Sequence, residues 1–165
     1  SPTRPREFVA FCMERYYQAV WAAGYLQFNP WPLLPSTVTE ADLDREEQKL
    51  GISFPPLFRA FLSTYFHRFG TDTHALVPDQ PPGGPFSGLE SVFQPVLARH
   101  SYLPFAYDEC SDLLVCLDVQ SLTGDADGPV VGIGLEYLES LPESESPGTH
   151  WRHIASRFLQ PFSII

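Results

Sequence analysis

The first half of the chain repeats its apolar residues at helical spacing, and the second half shifts to strand spacing. Residues 7–23, EFVAFCMERYYQAVWAA, bring Phe8, Phe11, Cys12, Tyr16, Ala19, Val20 and Ala23 to one side of a helix that Gly24 would end. Next comes YLQFNPWPLLPST, where Pro30, Pro32 and Pro35 remove helix donors and fix φ, so the segment reads as an extended connector. Its Trp31, Leu33 and Leu34 are expected to lie against the core. In TVTEADLDREEQKLG, Thr37 with Glu40 and Thr39 with Asp42 both have capping-box spacing. Leu43 and Leu50 share one face of that helix, and Gly51 closes it. Then LGISFPPLFRAFL turns sharply at Gly51 and Phe54-Pro55-Pro56. Pro56 suits the first position of a new helix, which carries Leu57, Phe58, Phe61, Leu62 and Tyr65 at helical spacing.

Residues 70–88 read as a long loop, and LESVFQPVL as a short helix that Pro95 disturbs. From Leu103 the segments YLPFAY, DLLVCLDV and GPVVGIGLEYL are short, apolar and separated by turn residues, as strands are. The turn-rich QSLTGDADG joins the last two into an antiparallel hairpin. Leu114 and Cys116 alternate with Leu113, Val115, Leu117 and Val119, so both faces of that strand are apolar, which predicts a covered central strand. After the polar break ESLPESESPG, THWRHIASRFLQPF reads as a closing helix capped by Thr149, with Trp151, Ile154, Ala155, Phe158 and Leu159 on one face. This order predicts an α+β class, helices packed around a twisted antiparallel β-sheet. A single domain over residues 1–165 is expected: an N-terminal helix and Pro-rich connector at 1–36, and a core at 37–165.

Composition adds material for a core and a sign for the surface. The 165 residues are 44% hydrophobic and 14% aromatic, which excludes a disordered chain. Twenty acidic against 10 basic residues give a formal charge of −10. Such a surface repels phosphate backbones and anionic lipid, so neither nucleic acid nor membrane is an expected partner. A cationic protein suits it, and solubility alone explains the charge equally well. No apolar run approaches the ~18–20 residues of a membrane span, and SPTRPREF does not resemble a signal peptide, so a cytoplasmic location is expected. Cys12, Cys110 and Cys116 have neither metal-site nor disulfide-framework spacing and read as reduced thiols.

Candidate chemistry is sparse. His150 and His153 are three apart with no acid between them, unlike a zinc helix. GDADG at 124–128 matches part of a calcium loop but lacks its closing Glu, so it reads as a turn. There is no G-x-S-x-G elbow and no Cys near a His. No catalytic residue, cofactor or metal is expected, although distant residues assembling a small hydrolase site would escape this reading. AYDECSDLL gathers Asp108, Glu109 and Asp112 ahead of a strand, as a solvated acidic loop or as a face for a basic partner. With Asp125 and Asp127, and Glu136 and Glu139 at the margin, they form the candidate partner-binding surface.

TEADLDREEQKLGISFPPLFRAFL resembles the signature of the SMI1/KNR4, or SUKH, superfamily, through Leu50-Gly51, Phe54-Pro55, Phe58 and Phe61-Leu62. LPFAYDECSDLLVCLDV resembles the family's Pro-Phe-Ala segment and its Leu-Asp strand, through Pro104, Phe105, Ala106, Asp108, Asp112, Leu117 and Asp118. GPVVGIG and the C-terminal amphipathic stretch continue the likeness, in order, over residues 37–160. The resemblance implies an α+β fold without catalytic residues. It also implies a bacterial immunity protein that binds a cognate toxin, of a class in which many are nucleases, and occludes its active site. The alternative it implies is a regulatory interaction module with no toxin. Leu50, Gly51, Pro55, Phe58, Phe61 and Leu62 are then residues of the fold. Oligomeric state stays open.

Overall fold

The computed structural model describes residues 5–22, 33–68, 77–120, 129–138 and 160–161. Helix α1 (Pro5–Ala22) leads to the two-residue strand β1 (Leu34–Pro35), then to helices α2 (Glu40–Leu50) and α3 (Pro56–Thr64) and strand β2 (Tyr65–Phe66). Two short helices, α4 (Ser87–Val92) and α5 (Pro95–Arg99), precede strands β3 (Tyr102–Asp108), β4 (Leu113–Asp118) and β5 (Val130–Gly134). Helix α6 (Leu135–Leu138) and strand β6 (Gln160–Pro161) complete the order.

Local chemistry sets the α2–α3 joint. Of the two capping boxes available, the chain uses Thr39 with Asp42. The Asp42 amide donates to Thr39 Oγ1 at 3.2 Å, and the Thr39 amide donates to Asp42 Oδ2 at 2.8 Å. At the other end Gly51 takes φ +71° and its amide donates to the Glu47 carbonyl at 2.8 Å. Pro56 opens α3 at its first turn, where its missing N–H costs no hydrogen bond. A Cβ on Gly51 would meet nothing within 4 Å, so only the left-handed backbone opposes it. Gly51→Ala is therefore expected to destabilise by about 1–2 kcal/mol, read as a lower denaturant midpoint at unchanged m-value.

Helix α1 forms as predicted but turns a different face inward. Val9 and Met13 are buried against Ala60 of α3, with Tyr17, Leu57 and Tyr65 packed around them. Phe8, Phe11, Cys12 and Tyr16 are exposed, contrary to the sequence expectation. Aromatic residues occupy two stripes of this helix, and polar anchors select between them. Arg6 Nη2 donates to the Ser63 carbonyl at 2.6 Å and Tyr65 Oη donates to Glu14 Oε1 at 2.5 Å, fixing the rotation. Phe11 meets the Arg15 guanidinium, 5.0 Å from its ring centre. Leu33 packs on this cluster as expected, whereas Leu34 is exposed in β1, which pairs antiparallel with β2.

The main sheet is antiparallel in the order β3-β4-β5-β6. β4 is central, with Leu117 paired to Leu103 on one side and Val130 on the other. Its two faces belong to two cores. Leu117 and Leu103 join Leu43, Phe54, Phe58 and Leu62 beneath α2 and α3. Leu114 and Cys116 join Leu97, Tyr102, Val131 and Ile133 beneath α5 and α6. The α+β expectation and the covered central strand both hold. Pro104 sits on β3, an edge of the sheet that tolerates a missing donor, next to a register shift between Pro104 and Ala106.

Three boundaries differ from the expectation. The LESVFQPVL run is interrupted as expected, but into two helices: α4 ends at Val92 and Pro95 opens α5. The β5 strand stops at Gly134, and LEYL winds into α6 instead of extending it. Gln160 and Pro161, expected inside a closing helix, instead pair with Gly132 and Val131 as an edge strand. The stop at Gly24, the packing of Trp31 and the rest of the closing helix with Thr149 lie outside the described residues.

Candidate partner-binding face

The β3–β4 turn is built by its own acids. Asp108 Oδ1 accepts from the amides of Cys110 at 3.0 Å and Ser111 at 3.3 Å, an Asx-type turn. Asp112 takes φ +53°, a conformation aspartate tolerates better than most residues. Tyr107 Oη donates to Asp112 Oδ1 at 2.6 Å, and the Leu135 amide donates to the Asp112 carbonyl at 3.1 Å. That last bond seats α6 against the turn and brings exposed Glu136 to the same end of the sheet. Hydrogen bonding to Asp112 raises the Tyr107 phenol above its ordinary range, with the charges of Asp112, Glu109 and Asp108 adding to it. Asp108, Glu109, Asp112 and Glu136 thus share one rim, and Glu109 is exposed on it.

Asp125, Asp127 and Glu139 lie outside the described residues, as do His150 and His153. The described flanks of the segment carrying Asp125 and Asp127 are Gln120 and Pro129, at the opposite end of β4 from Asp112. There Asp118 Oδ1 accepts from the Gln120 amide at 3.1 Å, and the Asp118 amide donates to the Pro129 carbonyl at 2.9 Å.

A second acidic surface escaped sequence reading. Arg59 of α3 reaches back to α2, where its Nη2 meets Glu40 at 2.5 Å and Asp44 at 3.0 Å while Nη1 meets Glu47. Acids at helical spacing in TEADLDREE are visible in the chain; which cation they enclose is not. Beside this clasp, Glu46 is buried and hydrogen-bonded to Glu90 of α4, which Lys49 Nζ meets at 2.5 Å. Burial foremost, and Glu90 next, raise the Glu46 carboxyl from 4.5 to about 7. Folded Glu46 therefore holds its proton more tightly than the unfolded chain does. Its stabilisation is full below about 4.5 and is lost as pH rises towards about 7. Glu46→Gln keeps a donor without the titration. It is expected to flatten the fall in stability over that window and to gain on the order of 1–3 kcal/mol at pH 8, checked by denaturation at stepped pH.

Buried polar groups also close the space under the 77–80 segment. His67 and Gln80 exchange backbone hydrogen bonds at 3.1 and 2.8 Å, and Gln80 Nε2 donates to the Leu62 carbonyl at the end of α3. Burial lowers His67 to about 4, so its ring is neutral against Phe61. The cavity they help to line measures about 20 Å³, the room of about one water and too small for a substrate. Among the described residues no group of three or more His, Cys, Asp or Glu is placed to hold a metal ion, and no helix is long and apolar enough to cross a membrane.

The chain matches the SMI1 / KNR4 family (SUKH-1) over residues 37–160, most of its length. It belongs to the SMI1/KNR4 family. The SMI1/KNR4 span starts just before the Thr39 cap and ends in β6, leaving α1 and β1 outside it. Within that span the signature residues Phe54, Phe58 and Leu62 are buried in the core and Gly51 makes the left-handed cap, so they serve the fold. Comparison with curated proteins and with solved structures gave no match.

Proposed function

We propose that this SMI1/KNR4 protein is a cytoplasmic immunity protein. It binds a cognate toxin and covers the toxin's active site, acting as one domain and performing no chemistry itself. Family membership over residues 37–160 carries this reading. The β3–β4 turn supports it physically: the Asp108 carboxylate is held by the Cys110 and Ser111 amides and the Asp112 carboxylate by Tyr107 before any partner arrives, so these two lose little ordering entropy on contact. A toxin that binds nucleic acid presents a basic groove, and the acidic rim matches it in sign.

The test is co-expression with the product of the adjacent gene, scored by cell survival and co-purification. Rescue with a stable complex supports immunity; neither rescue nor complex would give first place to a regulatory module. The rim is tested within that complex. Glu109 is exposed, so Glu109→Lys is expected to weaken binding about tenfold or more while leaving Tm unchanged. Asp108→Asn keeps the turn's acceptor and removes charge, and it should weaken binding less. Association should also slow as salt rises. Unchanged affinity in both variants would remove this turn from the interface.

A further inference from the structure

Three ionisable side chains tie α2 to α4. Glu46 and Lys49 lie about one turn apart on α2, and Glu90 is the charged residue of α4. Lys49 Nζ meets Glu90 Oε1 at 2.5 Å. Glu46, only 6% exposed, hydrogen-bonds to Glu90 and keeps its Oε1 buried without a hydrogen-bond partner. A hydrogen bond between two carboxyl groups needs a proton on one of them, so this contact holds a proton as well as a lysine. Without it, Glu46 would be a desolvated charge beside a like charge, with one cation for two carboxylates.

Neighbouring charges offer no relief. On α2, Asp42 is engaged by Arg45, while Arg59 of α3 is occupied by Glu40, Asp44 and Glu47. Behind α4, Arg68 meets Asp79 at 3.4 Å and His67 is neutral. Asp108 of β3 holds its own turn, Arg99 ends α5, and the charges acting on Glu46 are those of Glu90 and Lys49. Helix α4 has six residues, too few to be stable by itself. Leu89 is its buried residue, with Phe86 and Phe93 half-buried at its ends, so its docking leans on the contact with α2.

We infer that the proton held between Glu46 and Glu90 latches α4 onto α2, and that its loss loosens α4 while the rest of the domain stays folded. The sign follows from the two carboxyls. Glu46 is raised by burial, then by Glu90, to about 7, so the latch is closed in mild acid and opens as pH rises through that value. Lys49 foremost, then Glu46, lower Glu90 below its ordinary range, so the Lys49 bond persists until the medium is more acidic still. Docking is firmest between those limits, with Glu46 protonated and Glu90 charged. Opening lifts Leu89 from the small cavity that it lines with Phe58, Phe61 and His67, and frees the close approach of Gly88 to Pro78 and Asp79. Apolar surface then appears on one side of the domain at mildly basic pH.

The experiment is hydrogen exchange of the full chain at about pH 5.5 and about pH 8, expressed as protection factors so that base catalysis of exchange itself is divided out. Protection at the Glu90, Ser91 and Val92 amides is expected to fall about tenfold or more between the two, and to lie well below that of Leu114, Val115 and Cys116 in β4 at both. In Glu46→Gln the side chain still donates to Glu90 but has no proton to lose, so α4 protection should be the same at both values. Carbon NMR of the parent's carboxyl groups should place the Glu46 midpoint near 7, and Glu90→Gln should lower it by about one unit. Equal protection in α4 and β4 would mean that α4 opens only with the whole domain and would overturn the latch. So would α4 protection indifferent to pH, a pH dependence that survives Glu46→Gln, or a Glu46 midpoint in the ordinary carboxylate range.

Discussion

Gly88→Ala is expected to lower stability by about 2–3 kcal/mol, and so to drop Tm by roughly 5–10 °C. A Cβ at this position would collide with the Asp79 carbonyl oxygen and lie 2.5 Å from Pro78 Cβ. Backbone cannot step aside as a flexible side chain can. Here it is further held, because the next residue, Gln80, exchanges two backbone hydrogen bonds with His67 and caps the Leu62 carbonyl. Relief must come from lifting α4, which carries buried Leu89, or from breaking that bridge. Gly83→Ala is the matched control. A Cβ there meets nothing within 4 Å, and its stability should stay within about 0.5 kcal/mol of the parent. Equal midpoints for the two variants would mean that α4 does not approach Pro78 and Asp79 so closely.

Leu43→Ala should cost more, about 3 kcal/mol within a range of 2–5. Leu43 is fully buried and packs with Phe54, Phe58, Leu103 and Leu117, so it ties α2 to α3 and to the sheet together. Truncation removes methyl groups from a site enclosed by rings and strand residues that relax poorly. Leu34→Ala, at a residue 37% exposed, should shift the midpoint little. Chemical denaturation of the pair separates the loss of core from a general effect of removing leucine.

The helical joint was legible because its signals are local. Thr39, Gly51 and Pro56 each announce a helix end through their own backbone chemistry. The hairpin and the covered β4 strand were legible through turn residues and apolar runs on both faces. The face of α1 was not, since Phe8, Phe11 and Tyr16 form one apolar stripe and Val9, Met13 and Tyr17 another. Arg6 on Ser63 and Glu14 on Tyr65 favour the second, and those pairs span more than fifty residues of chain. Gly88 looked like any glycine of PPGGPFSG until its neighbours were known. At the acidic turn the residues were visible as a cluster, but their division of labour was not. Asp108 and Asp112 hold the turn's shape, which makes Glu109 the cleaner probe of charge. Burial of Glu46 and His67 left no mark in the sequence, because a charged or imidazole side chain carries no periodic sign of where it will pack.

The placement of β4 also bears on the order in which the protein assembles. Its partners are near neighbours in the chain: Leu103 and Leu117 are joined through one tight turn, and Val130 follows Leu117 within the next strand. Closing short loops loses little entropy, so the β3-β4-β5 meander is expected to form early and to retain its amide protons longest. The Gly51–Ser53 turn lies where α2, α3, α5 and the residues after β4 meet, so its surroundings need all of them in place at once. They are expected to settle late, after the acidic turn at the far end of the sheet has formed.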